Sequence, residues 1–389
     1  MGVFELNPAA VAAARARAAE RGASLGALEL TTPLSAGELL GDEALAALFL
    51  SPRIATEELL ELARDRRGPG APHIETFSPL YLTNECDAEC LMCGMRRVNE
   101  GLVRETADEA TVEAQLDILH QRGLRGVALV TGEYRHGARR DAMIARAGAA
   151  LRAALKRGFA HVLLNIGALE REEYDDLLSG VPRGDDGRVA PQLTMCTFQE
   201  TYDPRVYARF MGSAPENPRS DFERRLRNFD RAADAGMWVA NPAVLLGLNR
   251  DVGYELLALL AHVGHLRARG MTVYVSLPRL RKASGAAHHA GASEDELCRL
   301  VAVLSFGVPD AKVVISTREP PRIQQRLLPV ISVLTPGSPG VAPYTGSGAR
   351  FEIDASQFEV LDHRPIETIL GEILAAGATI DCYEPAGHA

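Results

Sequence analysis

The chain has 389 residues, of which 47% are hydrophobic and 24% charged, so it is long enough for one large barrel or for two to three ordinary domains. Its formal net charge of −9 argues against nucleic acid as a main partner, because phosphate binding needs a basic surface. No run of about 18 uncharged apolar residues occurs and six cysteines in so long a chain do not indicate a disulfide framework, so we expect a cytoplasmic protein without a membrane span.

The first 75 residues have the pattern of a helical extension. Apolar residues recur at helical spacing in "SAGELLGDEALAALF" and "ATEELLELARDRR", with Ser35 and Thr56 placed as N-caps. Glycine and proline then interrupt the pattern in "RGPGAPHIE". We therefore predict an N-terminal helical extension over residues 1–75.

From Ser78 onward, short apolar runs alternate with amphipathic stretches typical of helices. The eight apolar runs are "PLYLTN" (79–84), "GVALVTGE" (126–133), "HVLLNIGAL" (161–169), "PQLTMCTFQET" (191–201), "MWVANPAVLLGL" (237–248), "TVYVSLPRL" (272–280), "AKVVISTRE" (311–319) and "PVISVLTPG" (329–337). Such alternation indicates a parallel sheet covered by helices. Eight units predict an α/β fold, a (β/α)₈ TIM-like barrel over residues 76–345, with its chemistry at the carboxyl ends of the strands. Residues 346–389 predict a C-terminal capping segment with a short strand, a loop and one amphipathic helix.

Half of the six cysteines lie in one short segment, "CDAECLMC", which contains Cys86, Cys90 and Cys93. A structural zinc ion takes four nitrogen or sulfur ligands, and this loop offers no fourth; the next histidine, His120, lies in a predicted helix. Three thiolates with an open fourth position suit a [4Fe–4S] cluster with one iron left free for another ligand. We predict the cluster, with zinc or a chance spacing as the alternatives.

This cysteine spacing, directly after the first predicted barrel strand, resembles that of the radical S-adenosylmethionine (SAM) superfamily. The resemblance implies that the cysteines hold a [4Fe–4S] cluster and that SAM binds the open iron. One-electron reduction, by a donor such as flavodoxin or ferredoxin, then cleaves SAM to a deoxyadenosyl radical that abstracts hydrogen from the substrate. The cofactors supply the difficult chemistry, and the protein supplies orientation.

The resemblance extends to positions that would bind SAM. Gly132 and Glu133 stand where the superfamily has a Gly-Gly-Glu-like motif that meets the SAM amino group, although a simple turn is the alternative. In the subgroup described next, Glu200 would contact SAM and Arg225 would pair with its carboxylate; the alternative for Arg225 is a solvated helix arginine. Met92 replaces the aromatic residue that is usual beside the adenine, and its thioether can make a similar contact.

Segments such as "QETYDPRVYARF" and "FERRLRNFDRAADAGM" resemble the aromatic amino acid lyase subgroup, and the resemblance covers most of residues 35–380. It implies a free aromatic amino acid as substrate, hydrogen abstraction from its amino group and fragmentation of its carbon skeleton in a biosynthetic pathway. Arg318 is then the candidate anchor for the substrate carboxylate, with an ion pair to Glu319 as the alternative. Thr335 and Tyr81 align with a serine and a tyrosine of the tryptophan lyase of this subgroup.

Two features bear on the choice of substrate. The sequence "CGMRR" is closer to the tryptophan lyase than to the tyrosine lyases, which makes tryptophan the first candidate. "VLTPGSPGVAPY" departs from the corresponding loop of all these enzymes, so a tyrosine lyase of the thiazole-biosynthesis type, or a cyclase or mutase acting on another small amino acid, stays as an alternative. The hydrogenase-maturation enzyme of this subgroup carries a second cluster on three further C-terminal cysteines. In this sequence only Cys382 follows Cys298, so we expect no second cluster.

Four further polar residues are weaker candidates. Asn84 and Arg279 follow predicted strands and are possible pocket residues, while His288 and His289 lie in a Gly/Ala-rich loop that is either a lid or a solvated loop. A protein that only carries electrons is a weaker alternative for the whole chain, because it needs neither a barrel nor an open iron.

Overall fold

The computed structural model describes residues 2–26, 29–32, 39–286 and 291–385. Within these ranges it contains one sheet of ten parallel strands in the order β10-β1-β9-β8-β7-β6-β5-β4-β3-β2. The strands are β1 His73–Thr76, β2 Ser78–Tyr81, β3 Gly126–Val130, β4 His161–Asn165, β5 Gln192–Glu200, β6 Val239–Val244, β7 Thr272–Ser276, β8 Lys312–Ser316, β9 Val333–Thr335 and β10 Thr379–Asp381. The eight predicted apolar runs coincide with β2 to β9, with β2 alone starting one residue before its run, at Ser78, which confirms the TIM-like barrel.

Helices cover the outside of this sheet. They are α1 Pro8–Ser24, α2 Asp42–Leu50, α3 Thr56–Arg67, α4 Glu109–Gln121, α5 Ala138–Lys156, α6 Arg171–Leu177, α7 Pro204–Met211, α8 Phe222–Leu226, α9 Asn228–Asp234, α10 Val252–Ala268, α11 Glu294–Gly307, α12 Pro321–Leu327 and α13 Ile366–Ala375. Thr56 is the first residue of α3 rather than its N-cap, which is Ala55. Ser35, His288 and His289 lie outside the described residues. In the part of the chain that is described, no helix has the length and hydropathy that a bilayer span needs.

The sheet closes where β1 passes into β2. The two strands are separated by Phe77 alone, yet β1 pairs with β9 and β2 pairs with β3 at the other end of the sheet. Thr76 Oγ1 donates a hydrogen bond to the Leu334 carbonyl at 2.9 Å, and Ser78 Oγ donates one to the Pro336 carbonyl at 2.8 Å. The sequence analysis did not predict β1, which lies across the expected boundary at residue 75.

The N-terminal helices pack on the side of the barrel, where α2 contacts α10 and α11 and α3 contacts α11. The buried guanidinium of Arg299 on α11 donates hydrogen bonds to four carbonyl groups at the end of α2 and in the α2–α3 connection, those of Leu48, Phe49, Ser51 and Ile54. Since a buried arginine needs partners for its five N–H groups, this contact fixes the extension to the barrel wall.

The C-terminal segment lies over the cysteine loop. The backbone N–H of Gly94 donates to the Gln357 carbonyl at 3.0 Å, and that of Val103 donates to the Asp354 carbonyl at 2.8 Å. The short strand predicted for this segment comes after its helix instead of before it: α13 precedes β10, which extends the sheet beside β1.

A buried polar network occupies the amino-terminal end of the barrel. The carboxylate of Glu75 contacts His161 and accepts hydrogen bonds from the Tyr274 hydroxyl at 2.7 Å and from Lys312 Nζ at 2.6 Å. Burial alone would raise the pKa of Glu75, but the hydrogen bonds and charges of His161 and Lys312 lower it to about 2. Above this network lies an apolar layer formed by Phe77, Ala128, Leu163, Val239, Val314 and Val333.

We expect Glu75→Ala to destabilise the fold by roughly 3–5 kcal/mol, because His161, Tyr274 and Lys312 lose the carboxylate that they contact in the barrel interior. The urea midpoint of the purified protein measures this effect, and Glu61→Ala, at an exposed position of α3, is the control. The folded-state pKa of Glu75 lies below its usual 4.5, so its contribution is present above about pH 4.5 and is lost as the pH falls towards 2. A midpoint that matches the control at neutral pH contradicts the prediction.

Candidate cofactor and substrate site

One cavity opens at the carboxyl ends of the barrel strands. It is lined by all the residues that the sequence analysis proposed as cluster, SAM and substrate ligands, namely Cys86, Cys90, Cys93, Met92, Gly132, Glu133, Glu200, Arg225, Tyr81, Arg318 and Thr335. The structure thus brings residues separated by up to 254 positions, from Tyr81 to Thr335, to one place. Their individual roles stay predictions.

The sulfur atom of Cys86 accepts two backbone hydrogen bonds. The N–H of Ala88 lies 3.4 Å from it and the N–H of Glu133 lies 3.3 Å from it. N–H donors of this kind stabilise negative charge on sulfur and tune iron–sulfur centres. The Nε2 of Gln357 makes a similar contact with Cys93 Sγ at 3.6 Å.

Of the three thiols, Cys90 is buried, and Cys86 and Cys93 are partly buried. Burial raises the pKa of Cys86 to about 11 and that of Cys90 to about 12, so these thiols are deprotonated only when a cation compensates the charge. Cys90 and Met92 belong to an apolar cluster with Tyr207, Phe210, Met211, Leu245, Leu248 and Leu280. Among the described residues, no three His, Cys, Asp or Glu side chains are gathered to bind a single metal ion. Three thiols that need a compensating cation, with backbone N–H groups donating to Cys86 Sγ, are a donor set that fits an iron–sulfur cluster.

Glu133 is held beside the cysteine loop by a buried ion pair. Its Oε2 accepts a hydrogen bond from Arg225 Nη1 at 2.7 Å, and its Oε1 accepts one from the Ala168 N–H at 3.1 Å. Burial would raise the pKa of Glu133, but the positive charges of Arg225 and Arg219 lower it. Arg225 also donates to the Phe198 carbonyl at 2.7 Å, so its guanidinium is already committed to protein groups.

Two glycines allow this close packing. A Cβ atom at Gly132 would lie 2.0 Å from the Glu85 carbonyl oxygen, and one at Gly167 would lie 2.8 Å from Cγ of Glu133. Gly167 also has a φ of +90°, in the left-handed region that side chains disfavour. Gly132 therefore lets the cysteine loop approach the end of β3, and Gly167 makes room for the Glu133 side chain.

The backbone of Glu200 is strained. This residue has a φ of 70°, and the pairing of β5 with β6 shifts register between Phe198 and Glu200. A residue other than glycine in this conformation costs roughly 1–3 kcal/mol and is typical of functional sites. The strain turns the carboxylate of Glu200 towards Arg219, whose Nη2 lies 2.8 Å from its Oε1.

Arg219 is the main residue of this site that the sequence analysis missed. Its guanidinium lies between Glu200 and Glu133, with 3.7 Å between Arg219 Nε and Glu133 Oε2. That Nε atom is buried and has no hydrogen-bond partner among the described residues. Burial alone would lower the pKa of Arg219, but the charges of nearby Cys90 and Glu200 raise it by more. The pKa of Arg219 therefore lies well above its usual value, and the group stays charged. Acidic acceptors beside a cationic donor match the two ends of an α-amino acid group, such as that of SAM.

Arg318 faces the cavity without an acidic partner. Its guanidinium carbon lies 3.4 Å from the centroid of the Phe358 ring, and no carboxylate lies within 4 Å of it among the described residues. Glu319 pairs instead with Arg279 and Arg281. Burial lowers the pKa of Arg318 to about 10, so the side chain remains charged at neutral pH.

Tyr81 and Thr335 lie on the strands that flank the closure of the barrel. The Tyr81 hydroxyl donates to Gln357 Oε1 at 2.6 Å, which links it through Gln357 to Cys93. Among the described residues, the Thr335 hydroxyl makes one hydrogen bond, to the Ile315 carbonyl at a long 3.4 Å. Gln357 and Phe358 line the cavity too, and the sequence analysis missed them because it treated the tail as a cap.

Asn84 and Arg279 do not line the cavity. Asn84 donates to the carbonyls of Val103 and Ala355 and so fixes the cysteine loop, whereas Arg279 is bound in the ion pair with Glu319. Both side chains stabilise the walls around the site.

Comparisons with known proteins agree with this geometry. No family model matches the chain. It is 26% identical over 369 residues to 2-iminoacetate synthase of Salmonella typhimurium and 27% identical over 367 residues to that of Escherichia coli; each match covers 90% of this chain and 89% of the relative. Among solved structures, it is similar to the FeFe-hydrogenase maturase HydG of Carboxydothermus hydrogenoformans (TM-score 0.80, 24% identity, 97% of this chain and 86% of that chain). A second HydG structure gives a TM-score of 0.77 at 25% identity, over 96% of this chain and 80% of that one.

We expect Gly167→Ala to weaken SAM binding by roughly tenfold or more, because the new methyl group displaces Glu133. Calorimetry on the anaerobically reconstituted protein measures the affinity. Gly158→Ala is the matched control, since Gly158 has a similar φ of +79° but nothing within 4 Å of its Cβ position. Equal affinities in the two variants contradict a role for Glu133 in binding SAM.

Proposed function

We propose that this chain, which is a radical SAM lyase of the aromatic amino acid lyase type with a [4Fe–4S] cluster and SAM as cofactors, fragments a free aromatic amino acid. The observation that carries the proposal is Arg318, a charged guanidinium that faces the same cavity as the three cysteines and lacks a carboxylate partner among the described residues. A partly buried cation of this kind is suited to bind a substrate anion.

The residues present fit both cofactors. Cys86, Cys90 and Cys93 would hold the cluster, while Glu133, Glu200 and Arg219 would hold the amino acid end of SAM. The sequence analysis gave the carboxylate of SAM to Arg225, which is bound to Glu133 and to the Phe198 carbonyl. Arg219, whose buried Nε lacks a partner among the described residues, would take that role instead. When bound, the cofactors supply a radical that abstracts hydrogen from the substrate.

The substrate carboxylate would bind between Arg318 and Thr335. The guanidinium of Arg318 offers two parallel N–H groups, and Phe358 supports its face so that the edge points into the cavity. The hydrogen bond from the Thr335 hydroxyl to the Ile315 carbonyl is long and therefore weak. The hydroxyl can thus donate to the substrate carboxylate instead. Tyr81, fixed by Gln357, would limit the position of the substrate amino group on the side of the cluster.

The apolar layer below would receive the aromatic side chain. Phe77, Ala128, Leu163 and Val314 line the bottom of the cavity, and none of them has a polar group. Burial of a ring there excludes water from the reacting atoms and keeps the substrate in one orientation.

The relatives favour tyrosine as the amino acid, because 2-iminoacetate synthase is the thiazole-biosynthesis tyrosine lyase and its match covers 90% of this chain. The sequence "CGMRR" favours tryptophan, which stays the second candidate. The reductant would be a small electron carrier such as flavodoxin or ferredoxin. Incubation of the reduced enzyme with SAM and each amino acid, followed by mass spectrometry, tests the proposal; absence of any product cleaved at a carbon–carbon bond of the amino acid contradicts it.

We expect Arg318→Ala to lower kcat/KM for the amino acid by roughly 10²- to 10³-fold, since loss of one partner of a buried hydrogen-bonded charge pair costs about 2–5 kcal/mol. SAM cleavage without amino acid, measured as deoxyadenosine, should change little. Arg322→Ala, which removes an exposed arginine paired with Glu294, is the control. Equal losses of both activities in Arg318→Ala refute its role as the substrate anchor.

A further inference from the structure

Three polar side chains face each other on adjacent strands in the interior of the barrel. Cys196 on β5 lies directly opposite Asn241 on β6 in the strand pairing, and Ser276 lies on the next strand, β7. All three line the cavity, and Asn241 has a relative exposure of 0%. Neither the cluster, nor SAM, nor the carboxylate anchor uses this group.

The amide of Asn241 is oriented by its neighbours. Its Oδ1 accepts hydrogen bonds from Ser276 Oγ at 2.9 Å and from Cys196 Sγ at 3.1 Å. Its Nδ2 is buried and has no hydrogen-bond partner among the described residues. A buried N–H group without an acceptor is unfavourable, so its presence in a cavity indicates that a ligand completes it.

The surroundings define the shape of that ligand. The apolar side chains of Phe77, Leu163 and Val314 line the same cavity and suit a flat ring. Arg318 enters the cavity from the end of β8, whereas Asn241 enters it from β6, two strands away. An amino acid whose carboxylate is bound by Arg318 can therefore direct its side chain through the barrel interior towards Asn241.

We propose that Asn241 is a specificity-determining residue whose Nδ2 donates a hydrogen bond to the phenol oxygen of a 4-hydroxyphenyl amino acid. This inference rests on the proposed function, because it needs an aromatic amino acid in the cavity. The phenol hydroxyl both accepts and donates, so it can accept from Asn241 Nδ2 and donate to the oxygen of Ser276. The indole N–H of tryptophan only donates, and the ring of phenylalanine has no polar group. Both side chains therefore leave Asn241 Nδ2 without an acceptor. Tyrosine is thus preferred within this site.

The test compares L-tyrosine, L-phenylalanine and L-tryptophan with the reconstituted holoenzyme in the presence of SAM. Affinity is measured by calorimetry and turnover by mass spectrometry. We expect the wild type to prefer tyrosine to phenylalanine by roughly tenfold to a hundredfold, the effect of leaving one buried donor unpaired. Asn241→Leu keeps the size of the side chain and removes the donor, so the preference should fall to within about threefold.

Thr335→Val is the comparison variant, because loss of a carboxylate contact should weaken all three amino acids by a similar factor and leave their ratios unchanged. If Asn241→Leu does not fold, the affinities of the wild type for tyrosine and phenylalanine decide the question. Equal affinities for the two amino acids overturn the subsite. An unchanged preference in a folded Asn241→Leu, as expected if Nδ2 binds only water, also overturns it while the proposed function stands. Wild-type enzyme that binds and cleaves none of the three overturns the proposed function and, with it, the subsite.

Discussion

Closure of the parallel sheet at Phe77 is the constraint on which the site depends. A single residue separates a strand that pairs with β9 from a strand that pairs with β3, so the two ends of the sheet meet there. The cysteine loop follows β2, whereas Arg318 follows β8 and Thr335 ends β9, towards the opposite end of the strand order in the sheet. Without closure these groups would lie at opposite edges of an open sheet. The bond from Thr76 to the Leu334 carbonyl and the bond from Ser78 to the Pro336 carbonyl therefore hold together the two halves of the site.

Among the described residues, the two carboxylates that line the cavity are paired with arginines, whereas Arg318 has no carboxylate partner. Glu133 is paired with Arg225 and Glu200 with Arg219, and the strain at Glu200 indicates that the second pair is maintained against a local cost. Buried pairs of this kind add little net stability, because desolvation offsets most of their attraction. Their value is positional, since they fix charged groups beside the cysteine loop. Arg318 differs from them: it has an aromatic face in place of a carboxylate and so retains the capacity to bind an anion.

The barrel and most of the site could be predicted from the sequence, because apolar runs and the cysteine spacing are local signals. Features that depend on distant pairing were missed. β1 contains one aliphatic residue, Ile74, and its strand character comes from pairing with β9 and β10. Arg219 lies in an irregular loop with no motif of its own, and only the fold shows that it pairs with Glu200 and that its buried Nε has no partner among the described residues. Gln357 and Phe358 reach the cavity because the tail folds back over the cysteine loop, a contact that no periodicity encodes.

Because the C-terminal tail folds back over the cysteine loop, it also affects how far dissolved oxygen can reach the three thiols. Gly94 packs so closely under the tail that a Cβ there would lie 2.9 Å from the carbonyl oxygens of both Ser356 and Gln357, and Gln357 also contacts Cys93. Residues some 260 positions beyond the cysteines thus form part of the wall between the thiols and solvent. A chain shortened before Ser356 would keep the three cysteines of the loop and strands β1 to β9 but would lose this shield. Exposure of a metal centre to dissolved oxygen is in this way set by a segment that carries none of its ligands.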